Sequence, residues 1–266
     1  MKQAIIFASF GVADAKARAE CIDKTASLLA DSLPEFTVCQ AFTSVFIKKK
    51  LAAAGIIRDS LPEALAKLQA AGFQRVIIQP SHLTRGEEFE QKIVAAAKAY
   101  KKSFQQLLLS QPILAAADAY AEVIAAVLPG LELKKGEQLV WLGHGSPHQH
   151  NPVYEGLQAY ADANNLPINV GVLEPNDTPN FAMVLKRLKK ASAKEVLLAP
   201  LLLAGGRHVA KDLAGSGNDS WQSRLEQAGF KVTVDKRGLG EFADFRKLYL
   251  ARLKQCLKEP ESYKEY

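Results

Sequence analysis

The chain has 266 residues, of which 48% are hydrophobic, and 34 Lys and Arg against 28 Asp and Glu give it a net charge of +6. This length and apolar content suit one large α/β domain or two smaller ones, and they exclude a disordered chain. The basic residues are spread out except at Lys48–Lys50, which we interpret as the solvated face of a helix. Because no aromatic residues interleave with them, we expect no nucleic-acid partner, whereas a small anionic ligand suits the charge.

The three cysteines, Cys21, Cys39 and Cys256, lie far apart and form no CxxC pair. This pattern is typical of a protein from a reducing compartment. The apolar run at 4–10 follows a single lysine and stops at Gly11, which favours a buried first strand over a signal peptide. No apolar stretch approaches the ~20 residues that cross a membrane. We therefore expect a cytoplasmic protein without a membrane partner.

Short apolar, β-branched runs alternate with segments of helical periodicity along the whole chain. In chain order, the predicted strands are 3–9, 36–42, 74–80, 105–110, 137–143, 167–173, 194–200 and 230–234. The predicted helices are 12–32, 60–71, 88–102, 116–128, 178–191 and 241–257. This alternation predicts an α/β fold with parallel sheets built from βαβ units.

The best candidate for a domain boundary is the segment 129–136, because it combines turn residues with charges between two runs of similar length. It predicts an N-terminal α/β half at 1–130 and a C-terminal α/β half at 131–258. The remaining residues, 259–266, form a polar tail that we expect to be frayed.

The two halves resemble each other at a constant offset of 120 residues. Val76–Pro80 is followed by a glycine and Glu88, and Val196–Pro200 is followed by a glycine and His208. The likeness predicts two similar, doubly wound α/β halves that face each other across a cleft. Ligands of such sheets bind beyond the carboxyl ends of the strands.

Three potential metal donors follow consecutive predicted strands of the second half. His144 lies between two glycines, Glu174 ends a strand before a proline, and His208 follows Gly205 and Gly206. Each residue alone is often a hydrogen-bonded structural residue. Together, two imidazoles and a carboxylate suit a borderline divalent ion such as cobalt, nickel, iron or zinc, with coordination positions left open.

Other motifs do not compete with this interpretation. The sequence contains no HExxH, no GxxxxGK[ST] and no GxGxxG, so zincin, P-loop and dinucleotide-binding functions have no support. His148 and His150 lie past Pro147, where we expect a helix to begin, and we interpret both as solvent-exposed loop residues.

Short motifs follow the predicted strands in both halves. They are Ser9-Phe10-Gly11, Ala41-Phe42-Thr43-Ser44, His82 with Gly86-Glu87-Glu88, Gly143-His144-Gly145, Glu174, Gly205 with His208, Asp219-Ser220-Trp221 and Leu239-Gly240-Glu241. In this order and spacing they resemble the anaerobic sirohydrochlorin cobaltochelatases of the CbiK type. The resemblance spans nearly the whole chain.

This resemblance implies a chelatase-like fold of two Rossmann-like halves and the insertion of Co²⁺ into the tetrapyrrole sirohydrochlorin, on the pathway to cobalamin. It implies metal ligands at His144, His208 and Glu174, and an acidic residue at Glu88 on the opposite wall of the cleft. Arg207, beside a ligand, has no family role that we can assign. The partners implied are sirohydrochlorin and the divalent ion. No cofactor is expected beyond the Co²⁺ substrate, and the oligomeric state stays open, a homo-oligomer included.

Metallation requires the macrocycle to lose two N–H protons while the cation loses its waters. His144 and His208 must be neutral to bind the ion. Glu88, together with His82, is the predicted general base for the pyrrole protons. Two alternatives stay open, because imidazole and carboxylate serve several first-row ions. One is insertion of iron or another metal into sirohydrochlorin or a porphyrin, and the other is a non-catalytic protein that binds metal or tetrapyrrole.

Overall fold

The structure, a computed structural model, describes residues 1–115, 118–146, 150–206 and 209–263. Its internal contacts divide the chain into two units. The first combines Met1–Ala115 with the segment that begins at Ala243, and the second is Ala116–Phe242. Each unit contains one four-stranded parallel sheet, so the predicted α/β class is confirmed. No helix within the described ranges is long and apolar enough to cross a membrane.

The first unit has the strand order β2-β1-β3-β4. Its strands are β1 Gln3–Ser9, β2 Thr37–Phe42, β3 Arg75–Pro80 and β4 Gln106–Leu109. Its first five helices are α1 Ala15–Ala17, α2 Lys24–Ser32, α3 Val45–Ala53, α4 Leu61–Ala70 and α5 Ala95–Tyr100. Two π-helical segments lead directly into α2 and α5; they are Arg18–Asp23 and Phe89–Val94.

The second unit has the strand order β6-β5-β7-β8. Its strands are β5 Gln138–Gly143, β6 Ile168–Val172, β7 Glu195–Pro200 and β8 Lys231–Val234. Its helices are α6 Ala119–Val127, α7 Val153–Ala163, α8 Phe181–Lys190 and α9 Trp221–Gln227. Shorter helical segments lie at Leu128–Leu131, Val209–Leu213 and Leu239–Glu241.

All eight predicted strands are present, and each observed end lies within one residue of its predicted position. Three helices are absent from those assigned by periodicity, namely α3, α7 and α9. Helix α3 has no clear apolar stripe, since Val45 and Phe46 at its start are exposed. Helix α7 contains Gly156, and α9 has seven residues, fewer than the periodicity window needs. The Lys48–Lys50 run lies on α3, as interpreted from its charge.

The strands are continuous apolar runs because both faces of each sheet are covered. In β1 the residues Ala4–Ala8 are all fully buried. The core of the first unit includes Ile6, Leu65 and Ile93, and the core of the second unit includes Trp221. Each fully buried large apolar side chain contributes about 1.5–3 kcal/mol, so these runs determine the positions of the strands.

The internal likeness seen in the sequence is reproduced by the topology. In both units the first strand lies between the second and the third, with the fourth at the edge. Strands β3 and β7, at 75–80 and 195–200, occupy equivalent places and keep the offset of 120. Residues that follow equivalent strands therefore leave from equivalent edges of the two sheets.

The last helix, α10 Ala243–Lys258, packs in the first unit, against α2. The division predicted from the sequence placed α6 with 1–130 and α10 with 131–258. The structure differs on both, because the second unit begins at Ala116 and ends at Phe242. For α10 the physical reason is burial: Tyr249 is fully buried, with its ring against Phe7 and its hydroxyl donating to the carbonyl of Ser81 (2.7 Å). Within the tail that we expected to be frayed, the described residues include a short helical segment, Pro260–Tyr263, in which Tyr263 is buried.

Candidate functional sites

Two of the predicted metal donors lie side by side in the second unit. Strands β5 and β6 pair so that Gly143 is opposite Val172, and the following segments leave the same sheet edge. The backbone N–H of Glu174 donates to the carbonyl of His144 (3.0 Å). His144 Nδ1 lies 3.8 Å from Glu174 Oε1, and the two side chains are 40% and 26% exposed. An imidazole and a carboxylate therefore reach solvent together at this edge.

The glycines on either side of His144 permit this approach. Gly145 has a φ of +79°, and a Cβ there would lie 3.0 Å from the Cβ atoms of Glu174 and Val172. At Gly143, a Cβ would lie 2.1 Å from Cε1 of Tyr154. The Tyr154 ring is buried, and burial raises the pKa of its hydroxyl. A larger residue at Gly145 would push the two loops apart, and one at Gly143 would clash with the ring of Tyr154.

The third predicted ligand, His208, lies outside the described residues, as do Arg207 and His148. Within the part of the chain that the structure describes, no three His, Cys, Asp or Glu side chains come close enough together to hold a metal ion. The structure therefore brings together two of the three predicted donors. The role of His208 stays a prediction.

A hydrogen-bonded network that the sequence did not suggest lies next to these donors. Asp177, on the loop after β6, is 2% exposed and accepts from the backbone N–H of Ser146 (2.8 Å). It also lies 2.8 Å from Nδ1 of His150, whose Nε2 is 3.3 Å from Glu155. The hydrogen bond to Asp177 raises the pKa of His150. His150 is exposed, as expected, but it is held between two carboxylates.

Glu88 follows β3 in the first unit, directly before the π-helical segment Phe89–Val94. Its side chain is half-buried and makes no capping hydrogen bond to that segment. Instead, Oε1 accepts a hydrogen bond from the hydroxyl of Thr43 (2.6 Å). Thr43 directly follows β2, so two loops at the carboxyl edge of this sheet meet at the Glu88 carboxylate.

His82 also follows β3, but its surroundings differ from those of Glu88. Both ring nitrogens are buried, and neither has a hydrogen-bond partner among the described residues. The ring packs edge-on against Phe89, with 6.0 Å between centroids. Burial lowers the pKa of His82 to about 4. These features argue against the proton-accepting role predicted for His82, because the enclosed nitrogens are out of reach of a substrate and the lowered pKa makes the imidazole a weak base.

A family model described as cobalt chelatase (CbiK) matches residues 3–258. The chain belongs to this family. It is 33% identical over 259 residues to the sirohydrochlorin cobaltochelatase of Salmonella typhimurium (strain LT2), covering 97% of both chains. It is 30% identical over 258 residues to sirohydrochlorin cobaltochelatase CbiKC of Nitratidesulfovibrio vulgaris (strain Hildenborough), covering 95% of this chain and 89% of the relative. The resemblance predicted from the sequence motifs is confirmed.

The fold of this CbiK family member also resembles a solved structure. SirB from Bacillus subtilis with Fe³⁺ superposes with a TM-score of 0.62 at 16% identity, covering 98% of each chain. At this identity the likeness concerns the fold alone, and it confirms the predicted chelatase-like architecture.

Proposed function

We propose that the protein is a sirohydrochlorin cobaltochelatase, a lyase that inserts Co²⁺ into sirohydrochlorin on the pathway to cobalamin. The observation that carries this proposal is the pairing of His144 with Glu174 at neighbouring strand ends in a member of the cobalt chelatase family. The shared name of the two curated relatives supports this choice of metal and ring. The three cysteines, all within the described residues, form no disulfide with one another, which supports the proposed cytoplasmic location.

In this proposal His144, Glu174 and His208 bind Co²⁺ before its transfer. Imidazole nitrogen and carboxylate oxygen suit a borderline first-row ion, and they bind it only when unprotonated. Three protein donors leave coordination positions for water and then for pyrrole nitrogens. The ion is a substrate, so an incomplete set of protein ligands allows it to leave for the macrocycle.

Insertion of Co²⁺ releases two protons, one from each of two pyrrole N–H groups. We assign Glu88 as the acceptor in the first unit, and each proton passes from it to water. The Thr43 hydroxyl donates to Oε1 and fixes the carboxylate, which leaves Oε2 as the accepting atom. Scattered basic residues and the net charge of +6 support the attraction of a substrate that carries many carboxylates.

The visible absorption spectrum of sirohydrochlorin during incubation with Co²⁺ tests this function. We expect the protein to raise the initial insertion rate well above the spontaneous rate, and His144→Ala to remove most of the increase. Fe²⁺ in place of Co²⁺ tests the choice of metal in parallel. Binding of the ring or the ion without any acceleration would identify a carrier and overturn the proposal.

A further inference from the structure

Asp177 is the most completely enclosed carboxylate near the proposed metal site. Its side chain is 0% exposed, and three groups direct hydrogen bonds to it. Oδ2 accepts from the N–H of Ser146, Oδ1 accepts from the N–H of Thr178, and Oδ1 lies 2.8 Å from Nδ1 of His150. Burying a carboxylate costs free energy unless its oxygens accept hydrogen bonds. The three donors therefore stabilise Asp177 in its buried position.

The donors to Asp177 come from two different loops. Ser146 and His150 belong to the segment after β5, which carries His144, whereas Asp177 belongs to the segment after β6, which carries Glu174. The N–H of Asp177 also donates to the carbonyl of Glu174 (3.2 Å). The side chain of Asp177 therefore joins the loop of one proposed ligand to the loop of the other.

A second layer fixes His150 in turn. Its Nε2 lies 3.3 Å from Oε2 of Glu155, in the first turn of α7. The hydroxyl of Thr178 donates to Oε1 of the same glutamate (2.9 Å). Neighbouring carboxylates raise the pKa of His150, which favours the doubly donating imidazolium. The network thus runs from α7 through His150 to Asp177 and ends at Ser146.

We propose that Asp177 and His150 are positioning residues that hold His144 and Glu174 at the separation needed to bind Co²⁺. The inference rests on the proposed function, because it takes His144 and Glu174 as metal ligands. Hydrogen-bond partners behind a metal site typically change metal affinity about 10–100-fold when they are removed. Neither residue is proposed to contact the reacting atoms. Their substitution should therefore change the affinity for Co²⁺, and should slow insertion only because less Co²⁺ is bound.

The first test is Asp177→Asn. The amide keeps the shape of the side chain, but its nitrogen cannot accept a hydrogen bond, so at least one of the three donors loses its acceptor. We expect the Kd for Co²⁺, measured by titration of the folded protein, to rise about 10–100-fold. The KM for Co²⁺ should rise with it, while kcat at saturating Co²⁺ changes little. Unchanged Co²⁺ affinity in the folded variant overturns the inference.

The exposed partner of Asp177 supplies a second test, which holds even if Asp177→Asn does not fold. His150→Ala removes the donor to Asp177, and we expect it to weaken Co²⁺ binding in the same direction. His150→Asn restores an N–H donor near the place of Nδ1, and we expect it to recover most of the affinity. If His150→Ala and His150→Asn both bind Co²⁺ with the wild-type Kd, the positioning role is contradicted.

Glu137 offers a matched control in the same unit. It is 4% exposed, lies just before β5 at the opposite end of the strand, and accepts from the N–H of Lys134 and the hydroxyl of Thr233. Glu137→Gln should lower thermal stability and leave the Kd for Co²⁺ unchanged. If it weakens Co²⁺ binding as much as Asp177→Asn, loss of stability accounts for both effects and the inference fails.

His144→Ala separates this inference from the proposed function. If His144→Ala binds Co²⁺ normally, the proposed metal site itself is wrong, whatever Asp177→Asn does. If His144→Ala loses Co²⁺ and a folded Asp177→Asn does not, the metal site stands and the positioning role alone is overturned. Loss of affinity in both variants, with Glu137→Gln unaffected, supports both.

Discussion

At the scale of single residues, Glu88 and His82 follow the same strand but differ in what they can do with a proton. The Glu88 carboxylate is half-buried and accepts a hydrogen bond from Thr43, without a capping role in the helical segment that follows. The nitrogens of His82 are enclosed, and the pKa of the ring is lowered to about 4. Proton transfer requires an accessible atom within hydrogen-bond reach, so Glu88 is the better acceptor.

The exchange Glu88→Gln tests this assignment. The amide oxygen can still accept from Thr43, so we expect the local structure and the Co²⁺ affinity to remain near normal. The insertion rate should fall by about 10²–10⁴-fold, because the amide cannot take up a pyrrole proton. Initial rate and Co²⁺ affinity are measured on the same preparation. Glu87→Gln, at a neighbouring carboxylate that accepts from Gln91, is the control and should keep the normal rate. An unaltered rate in Glu88→Gln would refute the assignment.

The enclosure of His82 predicts a pH-dependent stability. Its folded-state pKa of about 4 lies below the ordinary value of 6.5, so the unfolded chain takes up a proton before the folded one does. Stability is therefore lost as the pH falls from about 6.5 toward 4, by up to about 3 kcal/mol. His82→Phe keeps a ring without ionising. We measure the free energy of unfolding in urea for the variant and for wild type. The value for His82→Phe minus that for wild type should be larger at pH 4.5 than at pH 7.5.

The pKa of His150 is shifted in the opposite direction to that of His82, so its effect on stability should have the opposite pH dependence in the same experiment. Its pKa is raised by Asp177 and Glu155, so its contribution to stability is present below the unfolded-state pKa and is lost as the pH rises through the folded-state pKa. His150→Asn should therefore lose more stability at pH 5 than at pH 8. A stability difference between His82→Phe and wild type that does not change with pH would show that the enclosed ring nitrogens are not responsible.

At the scale of elements, the loops after β5 and β6 approach each other closely because the residue at their contact is a glycine, which has no side chain. Gly145 has a left-handed backbone, and the space that a Cβ would need is taken by Glu174 and by Oδ2 of Asp177 (3.2 Å). This convergence places both proposed donors in the second unit on neighbouring strand ends. The separation of the donors therefore depends on the backbone as much as on the side chains.

Gly145→Ala is expected to weaken Co²⁺ binding as well as the fold. The left-handed conformation alone costs about 1–2 kcal/mol for alanine, and the added methyl group forces the loops apart. Gly136→Ala is the matched control, because Gly136 has a φ of +85° and no atom within 4 Å of an added Cβ. Thermal unfolding and Co²⁺ titration of both variants separate the two effects. Equal Co²⁺ affinities of the variants would contradict the role of close packing at Gly145.

The strands of both sheets could be predicted from the sequence because burial on both faces makes each one a continuous apolar run. The periodicity did not give the bounds of helices α3 and α7, because an exposed apolar start and an internal glycine obscure it. His144 and Glu174 could be placed together from the order of the strands. The role of Asp177 could not be predicted, since its partners are backbone N–H groups and a loop histidine that no local pattern connects to it.

At the scale of the whole molecule, the chain begins and ends in the first unit. After Phe242 it leaves the second unit, and α10 contributes four fully buried side chains to the first one; they are Phe245, Tyr249, Leu253 and Cys256. The boundary predicted at 129–136 from charge and turn residues misses both passages between the units, because the first lies between Ala115 and Ala116, ahead of α6, and the second follows Phe242. The stability of β1 and β3 therefore depends on residues far along the chain.

Truncation of Tyr249 tests this dependence. Tyr249→Ala removes a fully buried ring beside Phe7 and should cost about 3–5 kcal/mol, whereas Tyr249→Phe loses only the hydrogen bond to Ser81 and should cost about 1–3 kcal/mol. Hydrogen exchange should show that Tyr249→Ala lowers amide protection in β1 and β3 while β5 and β7 stay protected. The fully buried Leu157 of α7 is the control, since Leu157→Ala should give the reverse pattern. A uniform loss of protection in Tyr249→Ala would mean that α10 does not stabilise the first unit selectively.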